Sequence, residues 1–358
     1  MDKVKETVCD FESLYKAMYE CRKNVMWKDS VAGWVKNGLA NCHKLSDQLE
    51  NGSYLIDKYT EFTIHEPKKR DIVSTRFKDR VFQRSLCDNY LTETMSRSFI
   101  YDNGACLKGR GTDFSRKRLV CHMQRFYRKH RLNGYVLKCD IKNYFGSTPH
   151  DVAKAAVRKN VHNDWAYAHV ADIIDSFDQG PDPTVGMGLG SQVTQLIQLA
   201  VLDEMDHHIK EKFKIKQYIR YMDDFILIHH DKHHLEFCRK EIDNFLTELG
   251  LALNRRKTQI FPLKQGINFL GFKFLLTGTG KVIRRLDKSN VTHEKRKLRR
   301  MAGLVKRGVL VREHVDECYT SWKAHAKKGN THNLLMAMDE FYKNLWIGDD
   351  HDVRTVNC

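Results

Sequence analysis

The ten cysteines of this 358-residue chain include no C-x-x-C pair and follow no regular spacing. That argues against a structural zinc site and against a disulfide framework, so the thiols are expected to be reduced and the compartment cytoplasmic. No window reaches the ~18 apolar residues of a membrane-spanning helix. Met1 to Trp27 mixes acids with bases and lacks the apolar core of a signal peptide. A cytoplasmic protein with no membrane partner follows. Internal repeats and low-complexity tracts are missing as well, and 41% hydrophobic content is ample for a folded core.

Acid is scarce in two stretches. Ala105 to Arg131 holds nine Lys or Arg against Asp113 alone, and Lys281 to Leu310 holds eleven against Asp287 and Glu294. The whole chain carries a formal charge of +16. Clustered positive charge attracts a phosphate backbone by releasing condensed counterions, whereas evenly spread charge only aids solubility. Either run alone would be a solvated basic face.

Residues 1–53 are predicted to be helical, with Phe11, Leu14, Met18 and Cys21 forming one apolar stripe. Extended pieces follow from Tyr54 to Val73 around the charged turn Glu66-Pro67-Lys68-Lys69-Arg70, and helical spacing returns from Phe77 to Thr94. Asn133 to Asp140 reads as β structure ending in a carboxylate. A helix is expected from about Ser191 to Lys212, after the glycines Gly186, Gly188 and Gly190. Tyr218 to His229 is a hairpin of two apolar strands flanking Asp223-Asp224, followed by a helix that Gly250 stops. After short strands at Gln259 to Phe261 and Ile267 to Leu276 the chain is expected to be helical and basic to Trp346. His229 to His234 is taken as an exposed polar loop rather than a metal cluster.

A lone Asp-Asp turn is usually turn chemistry. Here a third acid, Asp140, ends another apolar strand built on Val136, Leu137 and Cys139. Adjacent carboxylates resist partial burial unless a cation neutralises them. Three from two neighbouring strands can hold two Mg²⁺ ions roughly 4 Å apart, with Mn²⁺ as a substitute.

The blocks Asp140-Ile141-Lys142-Asn143-Tyr144-Phe145, Tyr221-Met222-Asp223-Asp224, Leu253 to Thr258 and Asn268 to Phe272 stand in the order and spacing of reverse transcriptase palm motifs, and together they resemble that family. The resemblance implies an α+β right-hand polymerase fold. Its expected parts are an N-terminal helical extension (1–53), fingers (54–135), palm (136–278, with a fingers return at 152–182), basic helical thumb (279–346) and tail (347–358), the last expected to be disordered. It also implies that Asp140, Asp223 and Asp224 are catalytic metal ligands, with the Ile141 carbonyl completing one shell. Lys68, Lys69 and Arg70 would grip the incoming triphosphate. Phe145 would close the space at the nucleotide 2′ position, Lys257 would protonate the pyrophosphate leaving group, and Phe269 to Phe272 would seat the primer end.

The run Gly186 to Gln195 is similar to that of diversity-generating retroelement reverse transcriptases, which carry an aliphatic residue where others have Gln, here Leu189, and Ser-Gln downstream, here Thr194-Gln195. The loss of an amide near the nucleotide implies misincorporation opposite template adenines. Implied partners are template RNA, the RNA/cDNA duplex, dNTPs and a small basic accessory protein. A minimal enzyme without a maturase or endonuclease extension is expected. Two other readings stay open: a defence-associated bacterial reverse transcriptase that copies a non-coding RNA in anti-phage immunity, and a catalytically inactive RNA-binding scaffold.

Overall fold

Asp2 and Asp10 start the first two helices by accepting hydrogen bonds from the backbone N–H groups of Val4 and Ser13, both at 3.0 Å. These helices, α1 (Lys3–Cys9) and α2 (Phe11–Cys21), are followed by α3 (Asp29–Lys36) and α4 (Gly38–Glu50). Leu14, Ala17 and Met18 form the buried face of α2, and Phe11 and Cys21 flank it half-buried. The last carbonyls of α1 are taken up by hydroxyls: Ser85 donates to Val8 at 2.8 Å and Ser46 to Cys9 at 2.6 Å. This computed structural model describes residues 2–65, 70–177 and 182–347. The tail expected to be disordered lies outside them beyond residue 347.

Strands β1 (Thr60–Ile64) and β2 (Arg70–Ser74) pair antiparallel, with Ile64 opposite Arg70. After them come α5 (Phe77–Leu86), α6 (Thr92–Ser96), α7 (Thr112–His130), β3 (Tyr135–Asp140) and the single turn α8 (Tyr144–Ser147). The helices α9 (His150–Arg158), α10 (Asp164–Asp175), α11 (Gln192–Val201) and α12 (Asp203–His207) lead to β4 (Gln217–Tyr221) and β5 (Asp224–His229). The single helix expected over 191–212 is thus broken: Leu202 leaves helical geometry and the last turn, His208–Lys212, widens to a π-turn.

Helix α13 (Lys232–Glu248) ends where expected, because Gly250 takes φ +69° and lets the Leu251 N–H return to the Leu246 carbonyl at 2.8 Å. His229 ends β5 and the first turn of α13 includes Lys232 to His234, so only His230 and Asp231 of the histidine run form a loop. With β6 (Gln259–Pro262) the strands β4, β5 and β3 form a four-stranded sheet in the order β4-β5-β3-β6. Its central members are apolar without alternation because both faces are covered: Phe225 to Ile228 and Val136, Leu137 and Cys139 are all buried.

The chain divides into two compact units, one of Met1–Arg118, Leu137–Leu227 and Lys232–Ile260, the other of Leu119–Val136, Ile228–Asp231 and Phe261–Cys358. In the second, β7 (Ile267–Phe269), β8 (Phe272–Leu276) and β9 (Val282–Leu286) make an antiparallel sheet. Leu270 and Gly271, both at positive φ, make the two-residue turn between β7 and β8. The strand β9 stands where helix was expected. Val282 and Leu286 point inward with basic residues between them, and the expected boundary at residue 279 falls inside the β8–β9 hairpin. Three helices follow, α14 (Lys288–Lys306), α15 (Arg312–Ala326) and α16 (His332–Asn344). Tyr319 stacks on Tyr342 at 4.3 Å, and Tyr319 and Lys323 both bond to Asp339, at 2.7 and 2.6 Å. No helix among the described residues is long and apolar enough to cross a membrane.

Candidate active site

Asp140 is the last residue of β3 and only 8% exposed. Its backbone carbonyl accepts from the Asn254 N–H at 2.7 Å, and Lys142 N–H donates to the Ala252 carbonyl at 2.9 Å. This stitching brings the Leu253 to Thr258 block against the acid. Lys257 Nζ reaches both oxygens of Asp140, at 2.8 and 2.7 Å, and Asn254 Nδ2 reaches Oδ1 at 3.1 Å.

The β4–β5 connection brings the other two acids to the same end of the sheet. Met222 takes φ +56°, a left-handed backbone uncommon outside glycine, and this reverses the chain between Tyr221 and Asp224. The Asp223 carbonyl accepts from the Ile141 N–H at 3.3 Å, which ties the turn to the residue after Asp140. Asp224 pairs with Lys138 Nζ at 3.3 Å. Its other oxygen, Oδ1, is buried without a hydrogen-bond partner. Burial pushes the Asp224 carboxyl up to about 6, against the pull of Lys138 and with the help of the charges on Asp223 and Asp140.

Among the described residues no three His, Cys, Asp or Glu side chains are arranged as they stand to hold a metal ion. Lys257 sits on Asp140 and Lys138 on Asp224, so ammonium groups fill positions beside the acids. The donor set nevertheless suits a hard cation: oxygen ligands, mutual repulsion, and one buried carboxylate oxygen left unmatched.

Phe145 lies on α8, half-buried, and its carbonyl accepts from Met187 N–H at 2.8 Å, which joins it to the glycine loop. That loop is fixed from several sides. Gly186 at φ +106° donates to the Thr148 carbonyl, Thr194 Oγ1 donates to the carbonyls of Gly188 and Ser191, and Ser191 donates to Gln83 at 2.5 Å. Leu189 and Gln195 are both half-buried. Lys68 and Lys69 lie outside the described residues, and Arg70 begins β2. Phe269 and Phe272 flank the β7–β8 turn in the second unit, buried in its sheet.

Lys138 and Asn254 were not singled out from the sequence as partners of the acids. Lys138 had a signal: it lies two residues before Asp140 and so shares its face of the strand. Arg220, wholly buried in the apolar strand β4, was also passed over.

A family model described as reverse transcriptase (RNA-dependent DNA polymerase) matches residues 57–274, more than half of the chain. The chain belongs to the reverse transcriptase family. With that membership comes the right-hand polymerase fold, in agreement with the mixed helix and sheet content. Protein P of duck hepatitis B virus is 34% identical over 89 residues in the United States strain, covering 25% of this chain and 10% of that protein. In the brown Shanghai duck isolate the identity is 35% over 89 residues. The chain therefore spans about a tenth of the length of these curated relatives. Among solved structures, truncated apo telomerase from Candida tropicalis overlays with a TM-score of 0.49 at 12% identity, covering 69% of this reverse transcriptase and 60% of that chain. Telomerase from Candida albicans in complex with a fragment of telomeric RNA gives 0.47 at 12%, covering 77% and 55%.

Proposed function

We propose that this reverse transcriptase makes cDNA from a structured template RNA by two-metal nucleotidyl transfer, and that it does so with errors at template adenines in a diversity-generating retroelement. The observation that carries the polymerase chemistry is the gathering of Asp140, Asp223 and Asp224, with Asp224 Oδ1 buried and unmatched. Asp140, Asp223, Asp224 and the Ile141 carbonyl would hold divalent cations, Mg²⁺ or Mn²⁺, which supply activation of the primer hydroxyl and charge neutralisation at the pyrophosphate. Lys257 Nζ holds the proton destined for the leaving oxygen. Asp140, through its contact with Lys257, keeps that ammonium at the site until nucleotide arrives. Phe145, on the turn that carries the glycine loop, excludes a ribose 2′-hydroxyl. Lys68, Lys69 and Arg70 bind the triphosphate.

Leu189 supports the error-prone assignment, since an aliphatic side chain offers no hydrogen bond to constrain base geometry. The segments 54–135, 136–278 and 279–346 serve as fingers, palm and thumb, and a small basic accessory protein completes the template complex. An RNA-binding scaffold without catalysis is disfavoured, because three clustered carboxylates oppose RNA binding unless cations occupy them. The test is extension of a DNA primer on RNA with Mg²⁺ and four dNTPs, comparing wild type with Asp223→Ala and sequencing the cDNA. Metal-dependent product absent from the variant, with errors opposite adenine, is expected. Accurate cDNA would favour a defence-associated enzyme copying a non-coding RNA. No extension, even with cognate RNA and accessory protein, would overturn the polymerase reading.

A further inference from the structure

A buried ion pair lies directly beneath the catalytic turn. Arg220, on β4 three residues before Asp223, and Asp206, on α12, are both wholly buried. Arg220 Nε meets the carboxylate at 2.8 and 3.0 Å and Nη2 at 2.6 Å, while Tyr218 donates its hydroxyl to the same group at 2.6 Å. Two further contacts point elsewhere: Nη2 reaches the Leu199 carbonyl at 3.2 Å, and Nη1 reaches the Met222 carbonyl at 3.3 Å. Fold stability does not account for this arrangement, because a buried ion pair gives little over well-packed apolar residues of the same volume.

The contact with Met222 supplies the account. A methionine in the left-handed region carries backbone strain, and such a residue persists only where its surroundings over-determine it. Its carbonyl is held by Arg220, and the next carbonyl, that of Asp223, is held by the Ile141 N–H. The peptide groups on both sides of the Asp223 Cα are therefore pinned, one from the buried pair and one from the residue after Asp140. The backbone of Arg220 is fixed separately, donating to the Asp102 carbonyl at 3.1 Å and accepting from Gly104 N–H at 2.9 Å. Changes confined to its side chain leave that strand pairing in place.

We propose that Arg220, locked by Asp206 and Tyr218, is a positioning residue that holds the Met222–Asp223 turn in the orientation in which Asp223 and Asp224 take up a divalent cation beside Asp140. The proposal rests on the polymerase reading of the site. It is tested on the full chain with two variants. Arg220→Lys keeps the charge but loses the planar fork. The triple variant Asp206→Leu, Tyr218→Phe, Arg220→Met removes the whole buried network at similar volume. Three quantities are measured: melting temperature in EDTA, Mn²⁺ affinity by electron paramagnetic resonance of the free ion, and kcat and KM for dNTP on a primed template.

The triple variant is expected to melt close to wild type. Mn²⁺ should bind on the order of tenfold more weakly, as when groups supporting metal ligands are removed, and kcat should fall on the order of 100-fold. KM for dNTP stays near the wild-type value. Wild-type Mn²⁺ affinity and kcat in the folded triple variant would overturn the proposal. If that variant does not fold, Arg220→Lys decides: the same losses at a retained melting temperature support it, and unchanged values overturn it. A wild type that neither binds Mn²⁺ nor extends primers, or Asp223→Ala extending normally, overturns the polymerase reading and the proposal with it.

Discussion

Lys257 spans both oxygens of Asp140 although half of its own side chain is exposed, so its place is set by the acid rather than by packing. An ammonium held this way can hand its proton to a leaving oxygen. Lys257→Gln is expected to lower kcat on the order of 100-fold, the range of a lost general acid, with dNTP KM little changed. Single-turnover extension on a primed RNA would show it, and an unchanged rate would reduce Lys257 to a counter-ion. A second residue, outside the acid cluster, gives a pH signature. Asp79 is fully buried, accepts from the Tyr54 hydroxyl at 2.7 Å and the Asp57 N–H at 3.1 Å, and is pushed up to about 6 by burial. Its unfolded value lies near 3.8. Between those values the native state binds a proton that the unfolded state does not, so this group's contribution falls as pH rises through the window. Urea unfolding at pH 4 and pH 7 should therefore show wild type losing stability relative to Asp79→Asn at the higher pH. A constant difference would mean that Asp79 titrates normally.

At the scale of elements, the loop from Gly186 to Gly190 is tightly packed at Gly188. A Cβ at Gly188 would lie 2.3 Å from the Phe177 ring, which is 1% exposed and stacked on Tyr59 at 4.8 Å. That ring cannot withdraw without unstacking. Gly188→Ala should cost about 1–3 kcal/mol, as overpacking does, measured by chemical denaturation, whereas wild-type stability would show that the loop moves freely. The carboxylates and the hairpin were legible because an acid pair interrupting apolar strands is a local pattern. Strand β9 was not, because Arg284 and Arg285 inside it read as part of a basic helical run, and pairing with β8 overrides that composition. The break at Leu202 was hidden by continuous apolar spacing through Met205 and Ile209. Asn254 and Arg220 escaped notice for a different reason, and the alternation that put Lys138 on the face of Asp140 did not name Asp224 as its partner. Their partners are distant in sequence or on another element, and one chain cannot show which side chains meet.

For the molecule as a whole the governing quantity is charge. A surplus of +16 spread evenly would only aid solubility, but α14 gathers a share of it. Glu294, Leu298, Met301 and Ala302 form its buried face, while Lys288, Arg296, Arg299, Arg300 and Lys306, with Arg307 just past its end, are exposed. If this helix follows a duplex backbone, each contact releases condensed counterions and adds roughly 0.7–0.9 to the slope of log affinity against log salt. Replacing Arg296, Arg300 and Arg307 with Ala should then flatten that slope by about 2–3 and weaken RNA/DNA hybrids of unrelated sequence equally. Lys232→Ala serves as the control, since Lys232 is an exposed cation on α13 paired with Glu236 at 3.3 Å and should leave the slope unchanged. Fluorescence anisotropy over a salt series separates the outcomes. Slopes equal in wild type and the triple variant would make the α14 charges a solvated face and place the duplex elsewhere, whereas loss confined to one sequence would mean that these arginines read bases rather than phosphates.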